Sequence, residues 1–188
     1  SIRGGPAIVI MFIDLDDFKT VNDSLGHAAG DTVLQEVGRR LQATVRPADT
    51  VARFGGDEFA ILLDGVNDSS EAADVAGRML RGLEQQFEVE GKQVYPRASV
   101  GICLVDSEFG ATDAEELLRN ADVAMYMAKR DSKGSYRVFE PEMHERVVER
   151  LELQAELQQA VELNQLEVHY QPVVRLDEEA DYGVEALL

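Results

Sequence analysis

Arg53-Phe54-Gly55-Gly56-Asp57-Glu58-Phe59 joins two short apolar runs, residues 50–54 and 58–63, and its reading decides the fold. A glycine pair between two such runs is a hairpin signature. Glycines also free the backbone to take positive φ and let a ligand approach closely. Two carboxylates, Asp57 and Glu58, stand at this turn. Upstream, residues 7–14 form a β-branched, apolar run that ends abruptly in Asp14, Asp16 and Asp17, which predicts a buried strand. If the two strands are neighbours, Asp14 and Asp57 converge on one point. Hard oxygen ligands of that kind suit Mg²⁺, which keeps several waters and adds substrate phosphates to its shell. Lys19, Lys129 and Lys133 are available to complement phosphates. From these residues alone two readings stand, a metal-assisted nucleotide site and a set of acids in a solvated loop.

Working outward, Gly30-Asp31 opens a helix with Leu34, Val37, Leu41 and Val45 on one face, Asp31 able to cap it and Pro47 stopping it. Residues 68–71 read as a cap for a helix burying Val75, Met79, Leu80 and Leu83. A buried strand follows over 97–105. Thr112-Asp113-Ala114-Glu115 reads as a capping box for a helix with Leu117, Ala121, Ala124, Met125 and Ala128 inward, and 136–140 as a short strand. Helices between strands that include a hairpin predict an α+β fold, a central mixed, mainly antiparallel sheet flanked by helices. Residues 142–164 form one long charged helix with an apolar stripe of Leu153, Leu157, Ala160 and Val161. Residues 166–174 and 182–188 then read as strands of a new unit, the alternative being that they extend the first sheet. The predicted organisation is a domain over 1–140, a linker helix over 141–165 and a fragment over 166–188.

Composition narrows the function. The 188 residues carry a formal net charge of −18, which argues against wrapping DNA or RNA but not against a small nucleotide neutralised by a metal and a few lysines. No apolar run approaches the roughly 20 residues that span a bilayer. The single cysteine, Cys103, excludes an internal disulfide and fits a reducing, cytoplasmic compartment. Its apolar neighbours mark it as a core thiol. His27, His144 and His169 lack ligand-like spacing, so no zinc site is expected.

Residues 53–59 resemble the namesake motif of GGDEF-domain diguanylate cyclases. Phe12-Ile13-Asp14-Leu15-Asp16-Asp17-Phe18-Lys19, then Val21-Asn22-Asp23 and Gly26-His27-Ala28-Ala29-Gly30-Asp31, resemble the family's upstream signature. Ala98-Ser99-Val100-Gly101-Ile102 and Ala121-Asp122-Val123-Ala124-Met125-Tyr126-Met127-Ala128-Lys129 resemble its later ones, so the likeness is collinear over about residues 6–140. It implies a nucleotidyl-cyclase, ferredoxin-like palm that condenses two GTP into cyclic di-GMP with release of pyrophosphate. It also implies two Mg²⁺ or Mn²⁺ ions per site and two domains meeting face to face as a homodimer. By match, Asp14, Asp57 and the Leu15 carbonyl would bind metal, and Asn22 and Asp31 would read guanine. Lys129, Lys133 and the backbone around Asp17 to Lys19 would hold phosphates, near Phe18, Gly55 and Gly56. Glu58 would sit beside the attacking 3′-hydroxyl or help the metal. Against these roles stand plainer ones: Asn22 and Asp31 as helix caps, Lys129 and Lys133 one turn apart at a helix end, Phe18 and Phe59 as core. The family often has arginine where Lys133 stands, and lysine loses the bidentate fork.

Arg46-Pro47-Ala48-Asp49 falls at the spacing of the family's RxxD site, where product inhibits, and Arg78 would add a second contact; the alternative is a surface Arg–Asp pair. Leu166-Glu167-Val168-His169-Tyr170-Gln171-Pro172-Val173-Val174 and Gly183-Val184-Glu185-Ala186-Leu187-Leu188 resemble the opening of an EAL phosphodiesterase, a (β/α) barrel. Glu185 would match its first metal ligand and Gln171 a residue near its substrate. Two strands cannot close a barrel nor one carboxylate hold a metal pair, so no hydrolysis of cyclic di-GMP is expected from this stretch. The family's D-x-L-T-G-L-x-N-R segment is absent before the first strand, so a longer parent protein, with a sensor and room for a membrane tether, is expected. The competing function is a non-catalytic GTP- or cyclic di-GMP-binding module that regulates an attached EAL unit. The presence of Asp14, Asp57, Glu58 and Lys129 together favours catalysis.

Overall fold

The chain alternates helix and strand in a computed structural model that describes residues 7–105, 113–174 and 181–187. β1 (Ala7–Leu15) leads into α1 (Phe18–Leu25) and α2 (His27–Thr44), followed by the hairpin β2 (Thr50–Gly55) and β3 (Glu58–Val66). α3 (Ser69–Leu83), a small hairpin of β4 (Phe87–Val89) and β5 (Lys92–Val94), and β6 (Ala98–Val105) come next. α4 (Ala114–Asp131), β7 (Tyr136–Val138) and α5 (Glu142–Glu162) precede β8 (His169–Val174) and β9 (Asp181–Leu187). The chain divides into two compact units, residues 1–144 and 145–188.

The first unit is built on a five-stranded sheet in the order β2-β3-β1-β6-β7. β1 lies at its centre, antiparallel to both β3 and β6, while β7 joins β6 in parallel. This central place explains why β1 is apolar along nearly its whole length. Val9, Met11, Ile13 and Leu15 enter the main core with α2 and α3, whereas Ile10 and Phe12 join a second cluster with Cys103, Ala121 and Met125 of the α4 layer. Each such side chain contributes about 1.5–3 kcal/mol on burial. Cys103 is a core thiol, as expected.

Two local devices fix the helices. A Cβ on Gly101 would lie 1.9 Å from the Ala121 carbonyl oxygen and 2.2 Å from the Met125 nitrogen, so only glycine lets α4 approach β6 this closely. Arg40 of α2 donates to the carbonyls of Leu83 at 3.0 Å and Gly82 at 3.2 Å, and to that of Gln85, and its guanidinium lies 4.9 Å from the Phe87 ring centroid. It thereby satisfies carbonyls left unpaired at the end of α3.

Several expectations are corrected. α1 has no counterpart in the sequence reading, and α2 begins at His27 with Gly26 before it, so Asp31 lies inside a helix and caps nothing. Asn22 likewise lies within α1. Asp68 does cap α3, accepting from the Glu71 amide at 2.9 Å. Asp113 caps α4 through the Glu115 amide, while Thr112 lies outside the described residues. α4 ends at Asp131 with Ser132 as its cap, so Lys133 stands in the following loop and not on the helix. β4 and β5 were not foreseen.

In the second unit, β8 and β9 pair antiparallel in a sheet of their own and do not extend the five-stranded one. Gln171 and Glu185 are register partners there. The apolar stripe of α5 is exposed at Leu153, Leu157 and Val161.

Candidate active site

The end of β1 gathers the carboxylates. Asp14 is the register partner of Glu58 on one side and of Ser99 on the other, and the Leu15 amide donates to the Asp57 carbonyl at 3.3 Å. The hairpin turn therefore delivers Asp57 and Glu58 to the strand that carries Asp14. Within the glycine pair only Gly56 takes a positive φ, of 48°. Arg53 holds that turn by donating to the Gly56 carbonyl from Nε at 3.0 Å and from Nη2 at 2.7 Å.

Lys129, delivered by the last turn of α4, donates to Asp14 Oδ1 at 2.5 Å. The charges around it are unbalanced toward the acidic side. Burial raises the Asp14 carboxyl above its ordinary range, against the pull of Lys129, and Asp57 and Asp16 add to the rise. Glu58 is raised by burial and by repulsion from Asp14, Asp122 and Asp57. Burial lowers Lys129, but Asp14, Asp16 and Asp57 outweigh it and its ammonium is held above the usual lysine range. Burial first, and like charge after it, disfavour the ionised carboxylates at this strand end.

Apart from the Lys129 ammonium on Asp14, the groups gathered there are oxygen donors, which fits a hard divalent cation. Among the described residues no three Asp, Glu, His or Cys side chains form a set able to hold a metal. An ion there would thus complete its shell from a carbonyl, water and substrate phosphates, as Mg²⁺ commonly does.

Next to the carboxylates opens a hollow of about 430 Å³, bordered by Phe18, Lys19, Asn22, Asp31, Gly56 and Asp57. Six residues singled out from the sequence thus line one cavity of small-ligand size. Asp23, His27, Leu34 and Arg53 also line it and were not foreseen as site residues. Gly30 sets its shape, because a Cβ there would lie 1.9 Å from Asn22 Oδ1. Phe18 and Phe59 are buried, as expected of core residues, though Phe18 still reaches the hollow.

Lys133 donates to Asp17 Oδ1 at 2.7 Å, which fixes the loop at the head of α1, where Asp17 has a φ of 58°. Asp16 is turned away from the site. It accepts from Ser99 Oγ at 2.9 Å and from the Gly134 amide at 2.8 Å, and its own amide donates to the Arg97 carbonyl at 2.8 Å. Asp16 is a tie between strand ends that proximity in sequence to Asp14 had disguised.

Arg46, Asp49 and Arg78 border a separate small hollow at the far end of β3. Asp49 accepts from the amides of Arg46 at 2.7 Å and Asp64 at 3.2 Å, while Arg46 pairs with Glu71 at 2.8 Å. The alternative of a simple Arg–Asp surface pair is therefore not what forms.

The family model described as diguanylate cyclase, GGDEF domain, matches residues 3–135. The chain belongs to the GGDEF diguanylate cyclase family. All of it aligns, at 42% identity over 188 residues, with 27% of a Pseudomonas aeruginosa protein named bifunctional diguanylate cyclase/cyclic di-GMP phosphodiesterase MucR. Over 184 residues, 98% of the chain, it is 36% identical to 23% of a protein of the same species named cyclic di-GMP phosphodiesterase NbdA. The GGDEF domain of Pseudomonas aeruginosa TpbB superposes with a TM-score of 0.71 at 38% identity, covering 77% of this chain and 83% of that one. The chain thus spans about a quarter of the length of these curated relatives. The fold of the GGDEF neighbours is the mixed sheet flanked by helices described above. Among the described residues no helix is long and apolar enough to cross a membrane.

Proposed function

We propose that this GGDEF chain condenses two GTP molecules into cyclic di-GMP. The 3′-oxygen of each GTP bonds to the α-phosphorus of the other, each α-phosphorus loses pyrophosphate, and each hydroxyl proton passes to a base or water. The observation that carries the reading is the convergence of Asp14, Asp57, Glu58 and Lys129 beside the hollow containing Asn22 and Asp31. Asn22 and Asp31 offer an amide and a carboxylate to the edge of guanine. Lys19, Lys129 and Lys133 offer charge to phosphates. Asp14, Asp57 and the Leu15 carbonyl would hold Mg²⁺ or Mn²⁺, two ions when substrate is bound, supplying charge neutralisation and activation of the attacking hydroxyl. Lys129 holds the Asp14 carboxylate in place, and Glu58, the register partner of Asp14, would accept a proton from that hydroxyl. One hollow holds one GTP, so a second copy of the chain must face the first.

Arg46, Asp49 and Arg78 are proposed to bind the product as a brake, with Arg46 exchanging Glu71 for a phosphate or guanine. Residues 166–188 are proposed to belong to an EAL unit, with Gln171 and Glu185 at its site, and the reaction is placed in the cytoplasm. In the test, the chain is incubated with GTP and Mg²⁺ and cyclic di-GMP is followed by chromatography, with Asp57→Ala alongside. Product from the wild type, reduced by at least about a hundredfold in the variant, is expected. Tight GTP binding without product, from folded protein at high concentration and in the longer parent, would overturn catalysis in favour of a binding module.

A further inference from the structure

α1 is the wall between two hollows. Phe18, Lys19 and Asn22 face the one just described, whereas Thr20, Val21, Ser24 and Leu25 face a second, also of about 430 Å³, closed on its other side by β5. The floor of this second hollow is apolar and preformed, since Val21, Leu25 and Val94 pack against the main core. Tyr95 stands at its mouth, 61% exposed. Its hydroxyl donates to Gln86 Oε1 at 2.6 Å, so a largely exposed ring is held in one place.

The rim carries three cations, Lys92, Arg97 and Lys133, against two carboxylates. Both carboxylates are engaged. Asp16 accepts from Ser99 and Gly134, and Asp17 holds Lys133. Among the described residues Lys92 and Arg97 form no ion pair, and the Arg97 guanidinium donates to the Lys133 carbonyl at 3.1 Å. In a chain of net charge −18, a rim of three cations against two carboxylates over an apolar floor is a local reversal of sign. A preformed floor also lowers the ordering cost of binding.

We propose that this hollow binds a small amphipathic monoanion, a planar apolar body bearing one carboxylate or sulfonate. The body lies on Val21, Val94 and the Tyr95 ring, and the anionic group meets Arg97 and Lys92. Thr20 and Ser24 offer hydroxyls along the α1 side. Occupancy bears on α1, the helix that also carries Asn22, and so reaches the nucleotide hollow through a shared wall. The hollow shares Lys133 with the phosphate-binding group proposed above, but Val21, Val94, Tyr95, Lys92 and Arg97, which carry this site, take no part in that reaction.

The test is a titration of 2-naphthoate into ¹⁵N-labelled chain followed by two-dimensional NMR. Saturable shifts are expected at the amides of Thr20, Ser24, Val94 and Arg97. Uncharged 2-naphthamide, and 2-naphthoate with Tyr95→Ala or Lys92→Glu, should each bind about tenfold more weakly, roughly 1.4 kcal/mol. Both substituted side chains are exposed, so the variants should fold, which their unshifted spectra would establish. Absence of saturable shifts, shifts centred on Asn22 and Asp31, or equal binding of the amide or by both variants would overturn the site.

Discussion

Gly30 shows how much of the nucleotide hollow depends on one missing methyl group. It lies inside α2, where alanine is favoured over glycine by about 1 kcal/mol. A Cβ there meets Asn22 Oδ1 at 1.9 Å and the Phe18 ring edge at 3.2 Å. The first of these is the movable end of a side chain, so Gly30→Ala should leave thermal stability unchanged or slightly raised while it pushes Asn22 out of position. GTP affinity, measured by calorimetry with a non-hydrolysable analogue, should fall about tenfold or more, a loss of some 1.4 kcal/mol. A matching loss of melting temperature would instead mark Gly30 as a packing residue. At this scale the sequence is a good guide to which residue types gather and a poor one to their individual tasks. Asp57, Asn22 and Asp31 stood out by motif and line one hollow, with Asp14 at the strand end beside Glu58. Asp16 sits in the same motif yet faces Ser99 and Gly134, partners 83 and 118 positions away, which no local pattern reveals.

Among the elements, legibility followed the strength of the local signal. β1, the glycine hairpin, α3 and α4 carry long apolar periods or capping residues, and each forms where those signals lie. α1 has eight residues, and its N-cap Asp17 makes no side-chain cap bond, so only the short apolar period of Phe18, Val21 and Leu25 announces it. β4 and β5 have three residues each. The turn between them places Glu90 at φ 50° and Gly91 at φ 77°, a primed-type geometry with glutamate where asparagine or aspartate would have signalled it. How elements are tied together is less legible still. Arg40 joins α2 to the end of α3 while Glu36 holds Arg40 at 2.8 Å. Arg39 first and Arg40 next pull the Glu36 carboxyl down to about 2, from an ordinary value of 4.5. The unfolded chain therefore takes up this proton at higher pH than the folded chain does. The stabilisation is fully present above about pH 4.5 and is lost as pH falls toward 2. Glu36→Gln should lower the urea midpoint at pH 7, and the deficit should narrow between pH 4.5 and pH 3. A deficit independent of pH would mean that Glu36 acts through packing alone.

The whole molecule poses a problem that no single site resolves. If each chain holds one GTP, two bodies of formal charge −18 must approach with their acidic strand ends facing. Their repulsion extends over the Debye length, about 30 Å at 0.01 M salt and about 8 Å at 0.15 M. Long-range repulsion slows encounter without altering the geometry of the assembled site. With GTP and Mg²⁺ saturating, turnover per chain should therefore rise with protein concentration. The concentration giving half-maximal turnover should fall as NaCl is raised from about 10 to about 150 mM. Saturation matters because salt also weakens the attraction between lysines and phosphates, an opposing effect that must be held constant. Analytical ultracentrifugation over the same salt series should show the same trend in association. Turnover independent of protein concentration from a chain that ultracentrifugation shows to be monomeric throughout would mean that one chain suffices for both half-reactions. Association that weakens with salt would mean that a local cationic patch, not the net charge, governs the meeting of the two copies. The exposed rim around Lys92 and Arg97 would then be the first surface to neutralise by substitution.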